Sequence, residues 1–214
     1  MKTIDRPTKR ALIRRKHPIA AVIVHTTGET DLEKCLRFYT APDGLGPHYA
    51  IGLDGTVYRT ANEGLVAYHA KIDDEEAKLY RLGWDSWKRW FWKNDRPEQA
   101  NEEYPGYASW RDTWLIKGKK SPLDLVTGEQ PNARSVGIEL LQPKVPEPKI
   151  FTEDQYLALV ELTLDIAERQ GLILSRETCL GHYDVSPMRR STRKGGWDPG
   201  EKFDWAGFLA ALVK

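Results

Sequence analysis

The chain has 214 residues, 40% of them hydrophobic and 29% charged, enough apolar content for one ordinary domain or for a domain carrying an elaborate insertion. Its 32 Lys and Arg against 31 Asp and Glu leave a net charge of +1, so overall charge gives no support to nucleic-acid binding, and no apolar run approaches the ~20 residues of a membrane insertion. Cys35 and Cys179 make no disulfide framework, and Ile19–Val24, behind the basic stretch from Met1 to Lys16, is too short for a signal peptide; the chain is expected to be made as a soluble cytoplasmic protein.

In chain order, residues 1–18 are polar, basic and Pro-containing and read as an N-terminal arm ahead of a main domain at 19–214. Ile19–His25 (IAAVIVH) has the continuous, partly β-branched apolar character of a buried central strand, and it ends on a histidine. Asp31–Tyr39 reads as a short helix capped by Thr30, with Leu32, Cys35, Leu36 and Tyr39 on one side. His48–Leu53 and Thr56–Thr60 flank Asp54-Gly55, a strong hairpin signal, and Val66–His69 reads as a further short strand.

Residues from about 70 to 134 differ in kind. An acidic cluster (Asp73–Glu76), a Trp-rich helical stretch (Trp84–Trp92) and a Gly/Pro/Lys-rich passage lack the alternation of a sheet and read as an insertion. Its aromatics, among them Trp84, Trp87, Trp90, Trp92, Trp110 and Trp114, suit a small satellite core or a wall that stacks on sugars. Ser135–Leu141 (SVGIELL) is a second buried-strand pattern with Glu139 inside it. Thr152–Gln170 is a helix with Thr152 and Gln155 as a capping box, Gly171 as its stop, and Tyr156, Leu159, Val160, Leu164 and Ala167 at helical spacing. Thr178–His182 reads as a short strand ending on a second histidine, and Phe203–Val213 as a terminal helix. Alternating strands and helices define an α/β class: a central mixed β-sheet flanked by helices.

Strand ends converge on one sheet edge, so His25 and His182 can meet there, joined by Asp198 from the loop Trp197-Asp198-Pro199-Gly200. Two imidazoles and a carboxylate make a site for one zinc ion with a fourth position open to water, whose pKa the metal lowers toward ~7. Either histidine taken singly is more often a hydrogen-bonded structural residue. Glu139 is costly to bury uncompensated in a strand this apolar. It either faces solvent from an edge strand or stands near the metal as a general base with a pKa raised by burial.

The segments VIVHTT (Val22–Thr27), PHYAIGLDGTVYR (Pro47–Arg59), AYHA (Ala67–Ala70), NARSVGIEL (Asn132–Leu140), GHYDVSPMRR (Gly181–Arg190) and WDPGEKFDW (Trp197–Trp205) occur in this order. Together they resemble the zinc-dependent N-acetylmuramoyl-L-alanine amidases, the superfamily of phage lysozymes, peptidoglycan recognition proteins and muropeptide-recycling amidases. The resemblance spans Ile19–Leu212 apart from the insertion. It implies a zinc held by His25, His182 and Asp198, and hydrolysis of the amide between N-acetylmuramic acid and the L-alanine of the stem peptide. Glu139 aligns with the strand glutamate of the recycling branch and takes the general acid/base role, the more so because Pro47 stands where phage members of the T7 type carry a tyrosine. By the same resemblance His48 and Tyr49 shape the pocket and His69 contacts substrate. Family members usually carry Lys two residues before the last metal ligand, but here that position is Gly196 in a lengthened loop. The oxyanion-stabilising cation is then Lys194, counted back from Asp198, or Arg190, counted forward from His182; Lys194 is preferred. Asp184 is assigned to capping its loop, and the two cysteines to apolar filling.

Three roles follow: an endolysin of phage or prophage that degrades the cell wall after release from the cell, a cytoplasmic recycling amidase acting on soluble anhydro-muropeptide, and a module that binds peptidoglycan without cutting it. The first is preferred, on the single domain, the lack of a wall-binding repeat and the aromatic-rich insertion. The expected partner is peptidoglycan or a muropeptide, with no nucleic acid and no membrane insertion, and the expected state is a monomer.

Overall fold

The computed structural model describes residues 1–70, 131–142, 151–186, 198–200 and 203–213. Its elements are β1 (Thr3–Asp5), β2 (Ala21–Thr26), α1 (Leu32–Thr40), β3 (Tyr49–Ile51), β4 (Val57–Arg59), β5 (Ser135–Leu140), α2 (Glu153–Gln170), β6 (Cys179–Gly181), α3 (His182–Val185) and α4 (Trp205–Ala211). Among the described residues the strands form one mixed sheet of six in the order β1-β4-β3-β5-β2-β6, parallel at every pairing except the β3–β4 hairpin. The hairpin turns at Asp54-Gly55 as expected, with Gly52 N–H donating to Thr56 O at 2.9 Å.

β2 and β5 lie in the interior of the sheet and are covered on both sides, which is why both read as nearly unbroken apolar runs. The period of two still sorts their residues. Val22, Val24, Val136, Ile138 and Leu140 join Ile51, Val57 and Cys179 in a core built against Leu159, Leu162 and Ile166 of α2 and Phe208 of α4. The opposite face is covered by α1, where Cys35, Leu36 and Tyr39 pack on Ala50 and Leu141. Both cysteines are buried and unbridged, consistent with apolar filling.

The capping box of α2 is formed: Thr152 Oγ1 accepts from Gln155 N–H at 3.1 Å and Gln155 Oε1 accepts from Thr152 N–H at 3.0 Å. Gln155 also donates through Nε2 to Leu141 O at 2.9 Å, fastening the helix start to the end of β5. Gly171 closes the helix in the left-handed conformation at φ 64°. The buried stripe runs through Ala158, Leu159, Leu162, Ile166 and Ala167, whereas Leu164, expected on it, is 42% exposed.

Several local expectations are corrected. Residues 1–18, read as an arm, include a strand: Thr3–Asp5 pairs with β4, and Arg14 bridges to Leu65. Val66–His69 forms no strand. Asp31, not Thr30, caps α1, accepting from Lys34 N–H at 3.1 Å, while Thr30 N–H is taken by Glu29 Oε1 at 2.8 Å. The terminal helix starts at Trp205 because Asp204 caps it through Gly207 N–H. The segment 71–130, with all six tryptophans named above, lies outside the described residues. Among the described residues no helix is long and apolar enough to cross a membrane.

Candidate active site

β2, β5 and β6 run parallel, so their C-terminal ends reach the same edge of the sheet. His25 lies next to last in β2, opposite Glu139 in the β2–β5 register. In a parallel pair, residues in register share a face; for His25 and Glu139 it is the face away from α2. β5 is an interior strand, so Glu139 is no edge residue turned to bulk solvent. β6 ends at Gly181, and His182 is the first residue of α3 rather than the last of the strand. That turn is held by Asp184, which accepts from Gly181 N–H at 2.7 Å and pairs with Arg176 at 2.8 Å. Arg176 also donates to Tyr183 Oη at 2.9 Å and stacks 4.2 Å over the Trp205 ring. Asp184 is thus committed to the turn, in keeping with the capping role expected of it.

Asp198 brings the three expected ligands together. Its Oδ2 lies 3.1 Å from His25 Nδ1 and 3.1 Å from His182 Nδ1. Its Oδ1 accepts from Thr26 N–H at 2.7 Å, and its carbonyl from Tyr183 N–H at 3.2 Å, so β2 and α3 both fix it. The histidines are 1% exposed and the aspartate 5%. Burial by itself raises the Asp198 carboxyl, but the neighbouring His25 and His182 outweigh it and hold the group far below the ordinary carboxylate range.

The donor set fits a metal ion. The ligand atoms lie within 4.8 Å of one another. Metal–ligand bonds of ~2.0–2.1 Å place neighbouring donors of a tetrahedral zinc roughly 3.3 Å apart, close to the two contacts at Asp198, and a His, His, carboxylate set leaves the fourth position open.

A cavity of about 430 Å³ opens onto this corner, lined by His25, His182, Asp198, Glu139 and His69, with Tyr39, Glu29 and Lys34 contributed from α1 and the loop before it. Glu139 makes itself felt there. Burial first, and then the Glu139 charge, push the Cys35 thiol up to about 11, and the same two causes drive the Tyr39 phenol well above its ordinary value. Tyr39 was legible only as part of the apolar side of α1; that this side faces the cavity needed the fold. Glu29 and Lys34 form an ion pair on the cavity wall, and Glu29 is held at about 2, chiefly by the Lys34 hydrogen bond.

The three residues expected to shape the pocket or meet substrate are separated. His69 reaches the cavity, with Nδ1 3.0 Å from His25 Nε2. Burial, then the neighbouring His25 and His48, hold it well below the ordinary histidine value. Its backbone N–H donates to Asn132 Oδ1 at 3.1 Å, a partner for which sequence offered only the NARS motif. His48 is wholly buried and does not line the cavity. Its Nδ1 accepts from Gly137 N–H at 3.1 Å, which leaves the proton on Nε2 for Leu65 O, also at 3.1 Å. Burial lowers this imidazole to about 3. Tyr49, one residue on, points to the opposite face, where its ring joins the α2 core and its hydroxyl donates to Glu63 at 2.6 Å. Among the described residues, neither lines this cavity. Arg15, unremarked in the sequence, donates from beneath the site to the carbonyls of Glu63, Leu65, Asn132 and Ser135. Lys194 and Arg190 lie outside the described residues.

With this geometry in view, the N-acetylmuramoyl-L-alanine amidase family profile matches residues 15–201. The chain belongs to that family of peptidoglycan amide hydrolases. No curated protein matches the sequence. Among solved structures, a selenomethionine derivative of AmpD superimposes with a TM-score of 0.60 at 18% identity, covering 99% of this chain and 94% of that one. AmiD from E. coli, in complex with anhydro-N-acetylmuramic acid-L-Ala-D-γ-Glu-L-Lys, gives 0.57 at 18% identity over 94% of this chain and 61% of its own. The amidase LysC from Clostridium intestinale URNW gives 0.52 at 16% identity, covering 100% and 98%. At these identities the likeness establishes the fold: the mixed sheet flanked by helices.

Proposed function

We propose that this chain is a zinc-dependent amidase that hydrolyses the bond between the lactyl carbonyl of N-acetylmuramic acid and L-alanine, and that it acts as an endolysin on cell-wall peptidoglycan. The observation that carries the chemistry is the convergence of His25 Nδ1 and His182 Nδ1 on one Asp198 oxygen in a buried corner of the cavity that Glu139 lines. Zinc held by these three residues supplies Lewis acidity to the scissile carbonyl and lowers the pKa of a water. Glu139 accepts the proton that water loses as its oxygen bonds to the carbonyl carbon, and returns it to the alanine nitrogen as the C–N bond breaks. Lys194 is the preferred cation for the developing oxyanion, with Arg190 second.

The lytic role is supported by the aromatic-rich segment within residues 70–134, suited to stacking on sugars, and by a fold shared with a Clostridium intestinale amidase described as an endolysin. The recycling role draws on Glu139 and on the fold shared with AmiD, captured with a soluble anhydro-muropeptide. Purified sacculi and a soluble anhydro-muropeptide, each offered with and without a chelator, separate the two. Turbidity loss with release of stem peptides that carry L-alanine at their free amino terminus, abolished by chelation and restored by zinc, is the expected result. Cleavage of the soluble substrate alone assigns recycling, and binding to sacculi without release assigns a recognition module.

A further inference from the structure

We propose that His69, backed by Ser135, is a positioning residue that fixes the tautomer and ring orientation of His25, so that the Nδ1 lone pair of His25 is presented to the metal. The inference rests on the reading of His25 as a metal ligand.

The direction of the hydrogen bonds is set from the far end of a four-group chain. The carbonyl oxygen of Pro131 can only accept, and Ser135 Oγ donates to it at 2.7 Å. The single hydroxyl proton is then used, so toward His69 Nε2, 3.3 Å away, Ser135 Oγ can only accept, and Nε2 carries the ring proton of His69. The neutral ring is left with its lone pair on Nδ1, 3.0 Å from His25 Nε2, which must therefore be the donor. His25 in turn keeps its lone pair on Nδ1, 3.1 Å from Asp198 Oδ2. A nitrogen lone pair facing a carboxylate oxygen repels it unless a cation lies between them. The chain thus prepares that corner for a positive ion rather than for a hydrogen bond, as an outer partner does for a ligating histidine.

The fold holds His69 to this task. Asn132 Oδ1 accepts from the backbone N–H of both His69 and Ala70, at 3.1 and 2.8 Å. The ring occupies the space above Gly137, where an added Cβ would stand 2.3 Å from His69 Cγ, so the interior strand carries glycine there to admit it. Both ring nitrogens are engaged within the protein. The role assigned here therefore replaces a substrate hydrogen bond from the His69 ring.

Zinc affinity of the full chain, measured by competition with a chromogenic chelator, tests this on wild type, His69→Leu and His69→Asn. A 10–100-fold weaker affinity is expected for His69→Leu, the range for removing an outer partner of a ligating histidine. His69→Asn should recover most of the loss, because its side-chain oxygen can accept from His25 Nε2. In zinc-loaded wild type, nitrogen NMR should show a scalar coupling across the hydrogen bond from His25 Nε2–H to His69 Nδ1, with His69 protonated on Nε2. His69→Leu binding zinc within twofold of a tightly binding wild type sinks this inference alone. A wild type that does not bind zinc sinks the metal reading and the inference together. Should His69→Leu fail to fold, the wild-type spectrum decides: a His69 protonated on Nδ1 overturns the proposal.

Discussion

On the α2 side of the sheet, β2 and β5 present Val22, Val24, Val136, Ile138 and Leu140, all fully buried against Leu159, Leu162 and Ile166. On the other side, the residues between them in register are Ile23 against Gly137 and His25 against Glu139. One face is held by volume and dispersion, where hydrophobic residues of similar size can replace one another at modest cost. The other is held by individual donors and acceptors, each with a direction: Thr26 N–H on Asp198, His25 on His69, Gly137 N–H on His48. A slip of one residue in β2 would exchange the two sets, so the apolar face fixes the register on which the polar face depends.

The largest effect is expected from a change on the polar face. Glu139→Gln should lower amidase turnover about 10²–10⁴-fold, the range of general acid–base catalysis, with zinc content and thermal midpoint unchanged. Near-wild-type turnover would remove Glu139 from the chemistry. The mirror experiment is Leu162→Ala in α2, which should cost about 2–5 kcal/mol in urea unfolding while leaving zinc affinity and activity per folded molecule intact. If zinc binding fell in step with stability, the two faces would not be separable.

A smaller effect comes from His48, beneath the polar face. Its folded value of about 3 lies below the ~6.5 of an unfolded histidine, so protonation favours the unfolded chain. The stability gained by keeping it neutral is complete above pH 6.5 and is lost progressively toward pH 3, with a slope of up to about 1.4 kcal/mol per pH unit. Unfolding curves at pH 7, 6 and 5 should show a shallower slope for His48→Gln than for wild type; equal slopes would contradict this. The smallest change is expected at the start of α2, where Thr152→Ala should cost about 1 kcal/mol through loss of its cap, with no effect on the site.

Much of this arrangement was legible in the residues. The apolar runs of β2 and β5, the Asp-Gly hairpin and the capped helix each carry a local signal strong enough to survive tertiary packing. The motifs VIVHTT, GHYDVSPMRR and WDPGEKFDW mark His25, His182 and Asp198. The failures have physical causes. β1 is three residues long at a sheet edge, too short for alternation to show. The motif that carries His48 and Tyr49 gives no sign that these neighbours at the entry to β3 point to opposite faces, one beneath Gly137 and the other into the core. The His25–His69–Ser135 chain joins residues far apart in sequence and has no periodicity to betray it.

The central claim, that His25, His182 and Asp198 hold the zinc on which amide hydrolysis depends, is tested most directly by stripping the protein of metal and titrating zinc back while following cleavage of an N-acetylmuramoyl-L-alanine substrate. Activity should vanish on stripping and return fully at one equivalent of zinc, with no return in Asp198→Ala. Undiminished hydrolysis by the stripped protein would contradict it.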